Sequence, residues 1–325
     1  MRNISNDCSD APFGKVTVLV AFDKQSYRSK YGVAQRTLQC YIKRTGYQLL
    51  LIDVFADPVV TSTCTHSQLF FRKHCAASVY VELTDWLIVL DADTAVVNPN
   101  RCFEHYIDPR FDIIFYERFF NWEIVSGNYI VRNTQFAKTF LRRWSDYEFE
   151  QPRLWSGYDN GALQLHLLRT ILPDAKHAAD VCARIWHRAK NYQQYMAYVT
   201  CCKLARGARM QWDGVKIDAR AHGFAQDYYV TASKVCEEQF LFHDVKANEI
   251  EQNGTFNTFS RVPVGVDCHP SASWPYASDK RVSCDVVHRM IKLTERHFAR
   301  VYPVEARNLP YLNYDDVAEC WPHCQ

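Results

Sequence analysis

Trp86-Leu87-Ile88-Val89-Leu90-Asp91-Ala92-Asp93 limits the folds open to this chain more than any other stretch. An unbroken apolar run with no polar alternation describes a strand covered on both faces, as strands of parallel sheets are. It stops at two carboxylates one residue apart, and ligands of such sheets sit beyond the carboxyl ends of the strands. Side chains alternate along extended backbone, so Asp91 and Asp93 approach one ligand from the same side. Hard oxygen donors suit Mg²⁺ or Mn²⁺, with waters or substrate phosphates completing the octahedron. The plain alternative is a polar loop after a core strand, with Asp93 capping Thr94-Ala95 ahead of the turn at Asn98-Pro99.

The flanking segments fit an α/β layer. Lys15 to Phe22 reads as a first buried strand ending at Asp23, and apolar side chains at Val33, Ala34, Leu38 and Ile42 mark a helix over 33–44 that Gly46 ends. A second strand follows over 47–54, which predicts a parallel pair joined by a right-handed crossover. No glycine-rich phosphate loop follows the first strand, which removes the dinucleotide and P-loop readings. A helix over 67–83 carries Phe71, Cys75, Val79 and Leu83 on one face. Arg72, Lys73 and His74 in its first turns read as solvated charges, with the sharper reading that Arg72 or Lys73 reaches a substrate phosphate or the Asp pair.

Further on, 111–116 is a strand, and 121–131 is another, in which Gly127 permits close backbone approach. Trp122 and Glu123 resemble the apolar platform and acid of a sugar site, or ordinary core. Asn133 or Thr134 caps a helix with the stripe Phe136, Phe140, Leu141, Trp144 and Tyr147. Asp159 and Asn160 open the next helix from a glycine-bracketed loop suited to a small polar ligand, although Asp159 also reads as a plain cap. The signal over 175–223 is poor. Gln239 to Lys246 is a second apolar strand end that gives way to metal-capable His243 and phosphate-capable Lys246, and these are expected to meet the Asp pair along the same sheet edge. A last helix over 282–301 has the stripe Val286, Met290, Leu293, His297 and Val301.

With 325 residues and 48% hydrophobic content, the chain can bury a full core. A formal net charge of +2 argues against nucleic acid or an anionic membrane as partner. No apolar run approaches the roughly 20 residues of a membrane span. The polar opening Met1-Arg2-Asn3 shows no signal peptide, which fits either a soluble portion of an anchored precursor or a cytosolic protein. Thirteen cysteines without Cys-x-x-Cys spacing favour an oxidising compartment over a zinc site. An odd count leaves at least one thiol unpaired, and adjacent Cys201 and Cys202 are expected to bond elsewhere than to each other. The sequons at Asn3 and Asn253 agree with secretory passage. The tail through Trp321, His323 and Cys324 reads as disulfide-tethered packing.

The segments Trp86 to Asp93, Ser126 to Asn133, Tyr158 to Ala162 and Phe242 to Lys246 together resemble a nematode protein family related to the galactosyl- and xylosyltransferases of glycosyltransferase family 34. The resemblance spans roughly residues 15 to 250. It implies a GT-A-like, Rossmann-related, mostly parallel α/β sheet in one domain over 15–256, preceded by a segment 1–14 and followed by a cysteine-containing extension over 257–325. It further implies a retaining transfer from a UDP-sugar to a glycan or glycoconjugate acceptor, Mn²⁺ (or Mg²⁺), and the Golgi lumen. On this chain it implies Asp91, Asp93 and His243 as metal ligands, and Ala21, Phe22, Arg72, Asp91, Asp93 and Lys246 as donor contacts. Asp159 and Asn160 become sugar-site residues, Asp159 being the nucleophile if a covalent route operates. The chain departs from better-known members in having Asp-Asn for Asp-Gln and no glycine-rich segment after the late histidine. Two other classes fit the same residues: a glycan or nucleotide-sugar binding protein without turnover, and a metal-dependent phosphoesterase.

Overall fold

A computed structural model describes residues 8, 12–24, 27, 30–250 and 256–301. Both sequons, the tail 321–324 and the side chain of Val301 lie outside the described residues. The centre is a seven-stranded sheet built from β1 (Val16–Phe22), β2 (Gln48–Asp53), β3 (Trp86–Leu90), β5 (Phe111–Tyr116), β6 (Tyr129–Arg132), β7 (Gln211–Trp212) and β8 (Gly214–Asp218), in the order β2-β1-β3-β6-β5-β8-β7. Parallel pairing of β1 with β2 and β3, and of β5 with β8, points five strands the same way. β6 runs against both β3 and β5, and β7 against β8. A small sheet β4-β10-β9, made of β4 (Ala95–Val96), β9 (Ala225–Asp227) and β10 (Leu241–His243), stands beside it.

Alternating side chains of the central strands enter different cores. Leu19, Leu87, Val89, Ile113 and Phe115 face one layer, and Val18, Val20, Ile88, Leu90 and Ile114 face the other. The absence of alternation in β3 is therefore the signature of a sheet sandwiched on both sides. On the first side lie α3 (Leu69–Tyr80), α4 (Gln135–Asp146), α5 (Tyr158–Ile171), α6 (Lys176–Arg188) and α7 (Tyr192–Arg206), preceded in the chain by short α2 (Pro58–Thr63). On the second lie α1 (Gly32–Thr45) and an aromatic cluster with Phe103, Phe224 and Phe240. Phe256, Phe259 and Trp274 join that cluster, and Cys40–Cys268 ties their segment to α1.

The local signals were good guides where caps and apolar stripes agree. Gly46 closes α1 in the left-handed conformation, and Thr134 caps α4 by accepting from the Ala137 amide at 3.2 Å. α6, α7 and β8 fall in the span where the sequence signal is poor. Three expectations are corrected. α3 ends at Tyr80 and tightens into a 3₁₀ turn, which swings Leu83 into solvent. Lys73 and His74, read as solvated, are buried, because the polar side of α3 packs over the sheet edge. The last helix, α8 (Cys284–Val301), buries Val287 and Ile291, with Phe298 packed alongside, and leaves Leu293 exposed. Cys236–Cys284 fixes the start of that helix against Val230 and Phe119, and so sets its rotation.

Five disulfides form among the described residues: Cys8–Cys102, Cys40–Cys268, Cys64–Cys75, Cys182–Cys201 and Cys236–Cys284. Cys201 bonds elsewhere than to its neighbour, as expected, whereas Cys202, expected to do the same, is a buried free thiol among the described residues. Disulfides of this number are consistent with a secreted or lumenal protein. No helix among the described residues is long and apolar enough to cross a membrane.

Beyond β5, Glu117 is buried against Lys203 at 2.5 Å and against Arg206. Burial alone would raise its carboxyl, but the two cations hold it down at about 2, from an ordinary 4.5. A depressed carboxyl contributes stability that is complete above 4.5 and is lost as pH falls towards 2. Glu117→Gln should therefore remove that part of the acid dependence of thermal melts. It should also cost about 3–5 kcal/mol at neutral pH, because the buried Arg206 and the partly buried Lys203 lose their acid.

Candidate functional site

The Asp pair stands where β3 ends, at the carboxyl edge of the sheet. Ala21, Phe22 and Asp23 arrive there from β1, and Arg118 follows β5. β6 runs in the opposite sense, so the residues just before it, Ser126 to Asn128, reach the same edge. Gly127 packs directly on the Asp91 carboxylate, and a Cβ there would lie 2.1 Å from Asp91 Oδ2. Asn128 Oδ1 accepts from the Asp91 amide at 3.1 Å and from Thr94 Oγ1 at 2.8 Å, which fixes the turn carrying both acids. Asp93 does not cap Thr94; the Thr94 amide bonds to the Asp91 carbonyl instead.

His243 completes the cluster from an unexpected direction. Its strand β10 belongs to the small sheet and pairs antiparallel with β4, which directly follows the Asp turn. The shared edge expected for the two strand ends is thus replaced by a second sheet folded back over the first. His243 Nε2 lies 3.4 Å from Asp93 Oδ1 and 3.6 Å from Asp91 Oδ2, and ligand atoms of the three residues all fall within 4.8 Å of one another. His243 Nδ1 is held by Asp227 Oδ1 at 2.8 Å, an outer partner that orients an imidazole for metal binding. Asp93 Oδ1 is buried and accepts no hydrogen bond among the described residues, as suits an atom reserved for a cation. Two carboxylates and an imidazole are donors that Mn²⁺ accepts, so the residues fit such an ion.

Charge sets the protonation states. Burial would depress the His243 imidazolium, but Asp93, Asp227 and Asp91 surround it and raise its pKa to about 10. Burial pushes the Asp93 carboxyl up against the opposing pull of His243, with Asp91 adding to the rise. Asp91 suffers the same desolvation, yet Lys73 and His243 hold it well below the usual carboxylate range. Lys73 Nζ donates to Asp91 Oδ1 at 2.8 Å and lies 3.3 Å from Asp159 Oδ2. Its proton is kept, against burial, by those two acids.

The candidates divide between two cavities and the layer behind them. Ala21, Phe22, Asp91, Asp93, His243 and Lys246 line one cavity of about 430 Å³, and Lys246 Nζ lies 3.5 Å from Asp93 Oδ2. Arg72 is elsewhere: it donates to the His66 carbonyl at 3.0 Å and covers the Phe55 ring, while its neighbour Lys73 meets Asp91. Asp159 is buried behind Lys73. One of its oxygens accepts from the Asn160 amide at 3.0 Å, the other meets His74 Nε2 at 3.1 Å, and neither faces the cavity. Burial drives His74 down to about 4, so it is neutral at physiological pH. Asn160 accepts from the Ser126 amide at 3.1 Å and lines a second, adjoining cavity. Trp122 is buried under Arg220, at 4.4 Å, as core. Asp227, Arg118 and Tyr31 also line the first cavity, and sequence reasoning left them out. An acid opposite a late histidine has no fixed sequence spacing, so no signal marked Asp227.

The fold and site define a class: a three-layer α/β protein with an Asp-Asp-His constellation suited to a divalent cation at the carboxyl edge of its sheet. The chain belongs to the family described as protein of unknown function DUF273, whose model matches residues 38–258. No curated protein matches it. Among solved structures, it is similar to a glycosyltransferase involved in the glycosylation of the major capsid of PBCV-1. That similarity has 18% identity and a TM-score of 0.34, over 45% of this chain and 72% of the other.

Gly127→Ala should displace the Asp91 carboxylate and weaken Mn²⁺ binding by about 10–100-fold, the usual effect of disturbing a residue that supports a ligand. Titration followed by electron paramagnetic resonance, with circular dichroism as the control for folding, checks this.

Proposed function

We propose that the protein is a cation-dependent glycosyltransferase that moves a hexose or pentose from a nucleotide sugar, a UDP-sugar, to an acceptor hydroxyl with retention at the anomeric carbon. The observation that carries this reading is the convergence of Asp91, Asp93 and His243 on one point, beside Lys246, in a cavity walled by the end of β1. Five carboxylates line that cavity against Lys73, Arg118, Lys246 and a protonated His243, and once His243 gives up its proton to ligate an ion the excess of acids suits a diphosphate only with a cation between them. The resemblance to relatives of glycosyltransferase family 34, carried by the segments around Asp91, Gly127, Asp159 and His243, points the same way. The disulfides fit the proposed Golgi lumen setting.

In the reaction, the acceptor oxygen forms a bond to the anomeric carbon as the bond from that carbon to the diphosphate oxygen breaks. The electron pair leaves with the nucleoside diphosphate, which also takes the hydroxyl proton. A bound Mn²⁺ would supply electrostatic stabilisation to that leaving group. Asp91, Asp93 and His243 would hold the cation, and Asp227 would keep His243 oriented. Lys246 adds a point charge whose effect grows as the leaving group becomes more negative, so it bears on turnover more than on ground-state binding. Asp159, turned away from the cavity and bonded to His74, is better placed to position Lys73 than to attack. That favours a same-face displacement over a covalent intermediate.

Asp93→Asn should nearly abolish Mn²⁺-dependent UDP binding in calorimetry while the fold is kept. His243→Ala should weaken Mn²⁺ binding. Lys246→Ala should lower turnover in a UDP-release assay across several UDP-sugars, with cation affinity largely retained. No UDP binding with Mn²⁺ would reject the transferase class, and tight binding with no release would favour a glycan or nucleotide-sugar binding protein.

A further inference from the structure

Beside the acid-lined cavity opens a second cleft of about 860 Å³, and the two share Arg118. The first is rich in carboxylates, whereas the second balances two arginines, Arg118 and Arg153, with two glutamates, Glu123 and Glu148. A neutral lining offers nothing to a phosphate or a free cation. Its distinctive side chains are aromatic and open to solvent: Trp155 is 43% exposed, Tyr158 53% and Tyr192 41%. Large rings are normally spent on core, and this chain buries most of its own. Rings left facing a cleft are surfaces for a ligand with apolar faces.

The aromatic edge is continuous with the first cavity. Phe70, which lines that cavity, meets Tyr158 of the second with ring centroids 5.2 Å apart. The loop that presents Trp155 and Tyr158 is held rigidly. Gly157 and Tyr158 are both left-handed, at φ 69° and 50°, and a Cβ at Gly157 would run into the Tyr195 ring at 2.4 Å. Ser156 Oγ accepts from the Tyr158 amide at 3.0 Å, and the Ser156 carbonyl accepts from Trp186 Nε1 at 2.7 Å. Backbone strain kept in place by such bonds is a feature of ligand clamps. At the junction, Arg118 Nη1 bonds to Glu123 Oε2 at 3.3 Å, while Arg118 Nε is buried and makes no hydrogen bond among the described residues.

We propose that this cleft is the acceptor subsite and that its occupant is a neutral oligosaccharide. Sugar rings carry flat C–H faces that stack on aromatic rings, and a rim of hydroxyls that pair with amides such as those of Gln151 and Asn160. A chain lying across Trp155 and Tyr158 directs its terminal hydroxyl past Arg118 towards the donor cavity. This rests on the transferase reading for its role, but the binding it claims does not require the donor.

The test uses the full chain with cellohexaose, xylohexaose, maltohexaose, galactohexaose and chitohexaose, by saturation-transfer NMR and calorimetry without nucleotide. UDP with Mn²⁺ is titrated on the same preparations. At least one hexaose should bind, and Trp155→Ala and Tyr192→Ala should each weaken it about tenfold or more, with UDP affinity within about twofold of the native value. Binding of no hexaose overturns the inference even where UDP binds. Hexaose binding that survives both substitutions overturns it too, as does binding only of serine- and threonine-rich peptides. A hexaose bound where UDP does not bind upholds the cleft and rejects the transferase.

Discussion

A lysine buried between two aspartates lies under this architecture. Lys73 Nζ, in contact with Asp91 and near Asp159, neutralises carboxylates that the end of a doubly covered strand would otherwise bury at heavy cost. The arrangement fixes α3 over the sheet edge and locks Asp159 into α5. It also leaves Asp91 Oδ2 as the oxygen turned towards His243. Without a cation in that position, neither the Asp turn nor the start of α5 could pack as closely as it does.

The reversal of β6 is the second constraint. An antiparallel strand between β3 and β5 brings the start of a strand to an edge otherwise made of strand ends, and only glycine fits where Gly127 meets Asp91. The small sheet then closes the site from the other side. Because β4 leaves the Asp turn directly and pairs with β10, the position of His243 is tied by backbone hydrogen bonds to the residues it must meet. Val245 extends this link, its amide donating to the Asp93 carbonyl at 2.9 Å. Precision here comes from backbone pairing, which is stiffer than side-chain packing alone.

The two cavities differ in the chemistry they offer, and Arg118 is the residue common to both. On one side it lies 3.9 Å from Asp227, which orients His243, and on the other it bonds to Glu123. Opposed acids hold its charge firmly despite burial. An acid-rich cavity, proposed to take a cation and phosphates, thus adjoins a neutral, aromatic one, an arrangement in keeping with the proposed donor and acceptor brought together.

The sequence by itself determined the sheet's burial, the strand ends at Asp23, Asp91 and His243, and the caps and stripes of α1 and α4. Each of these is a local matter of periodicity, capping or an apolar run giving way to acids. It also marked Asp91, Asp93 and His243 as a group, since their residue types suit one ion. Only the tertiary structure decided which neighbours complete that group. Lys73 rather than Arg72 meets Asp91 because of the rotation of α3, and Asp159 turns inward because His74 and Lys73 bind it. Asp227 enters because β9 pairs beside β10. The rotation of α8 was likewise set by Cys236–Cys284 and not by its own apolar pattern. The physical reason is common to all four: a buried charge or a crosslink is satisfied by whatever partner the fold brings within a few ångströms, and that distance is not written in sequence spacing.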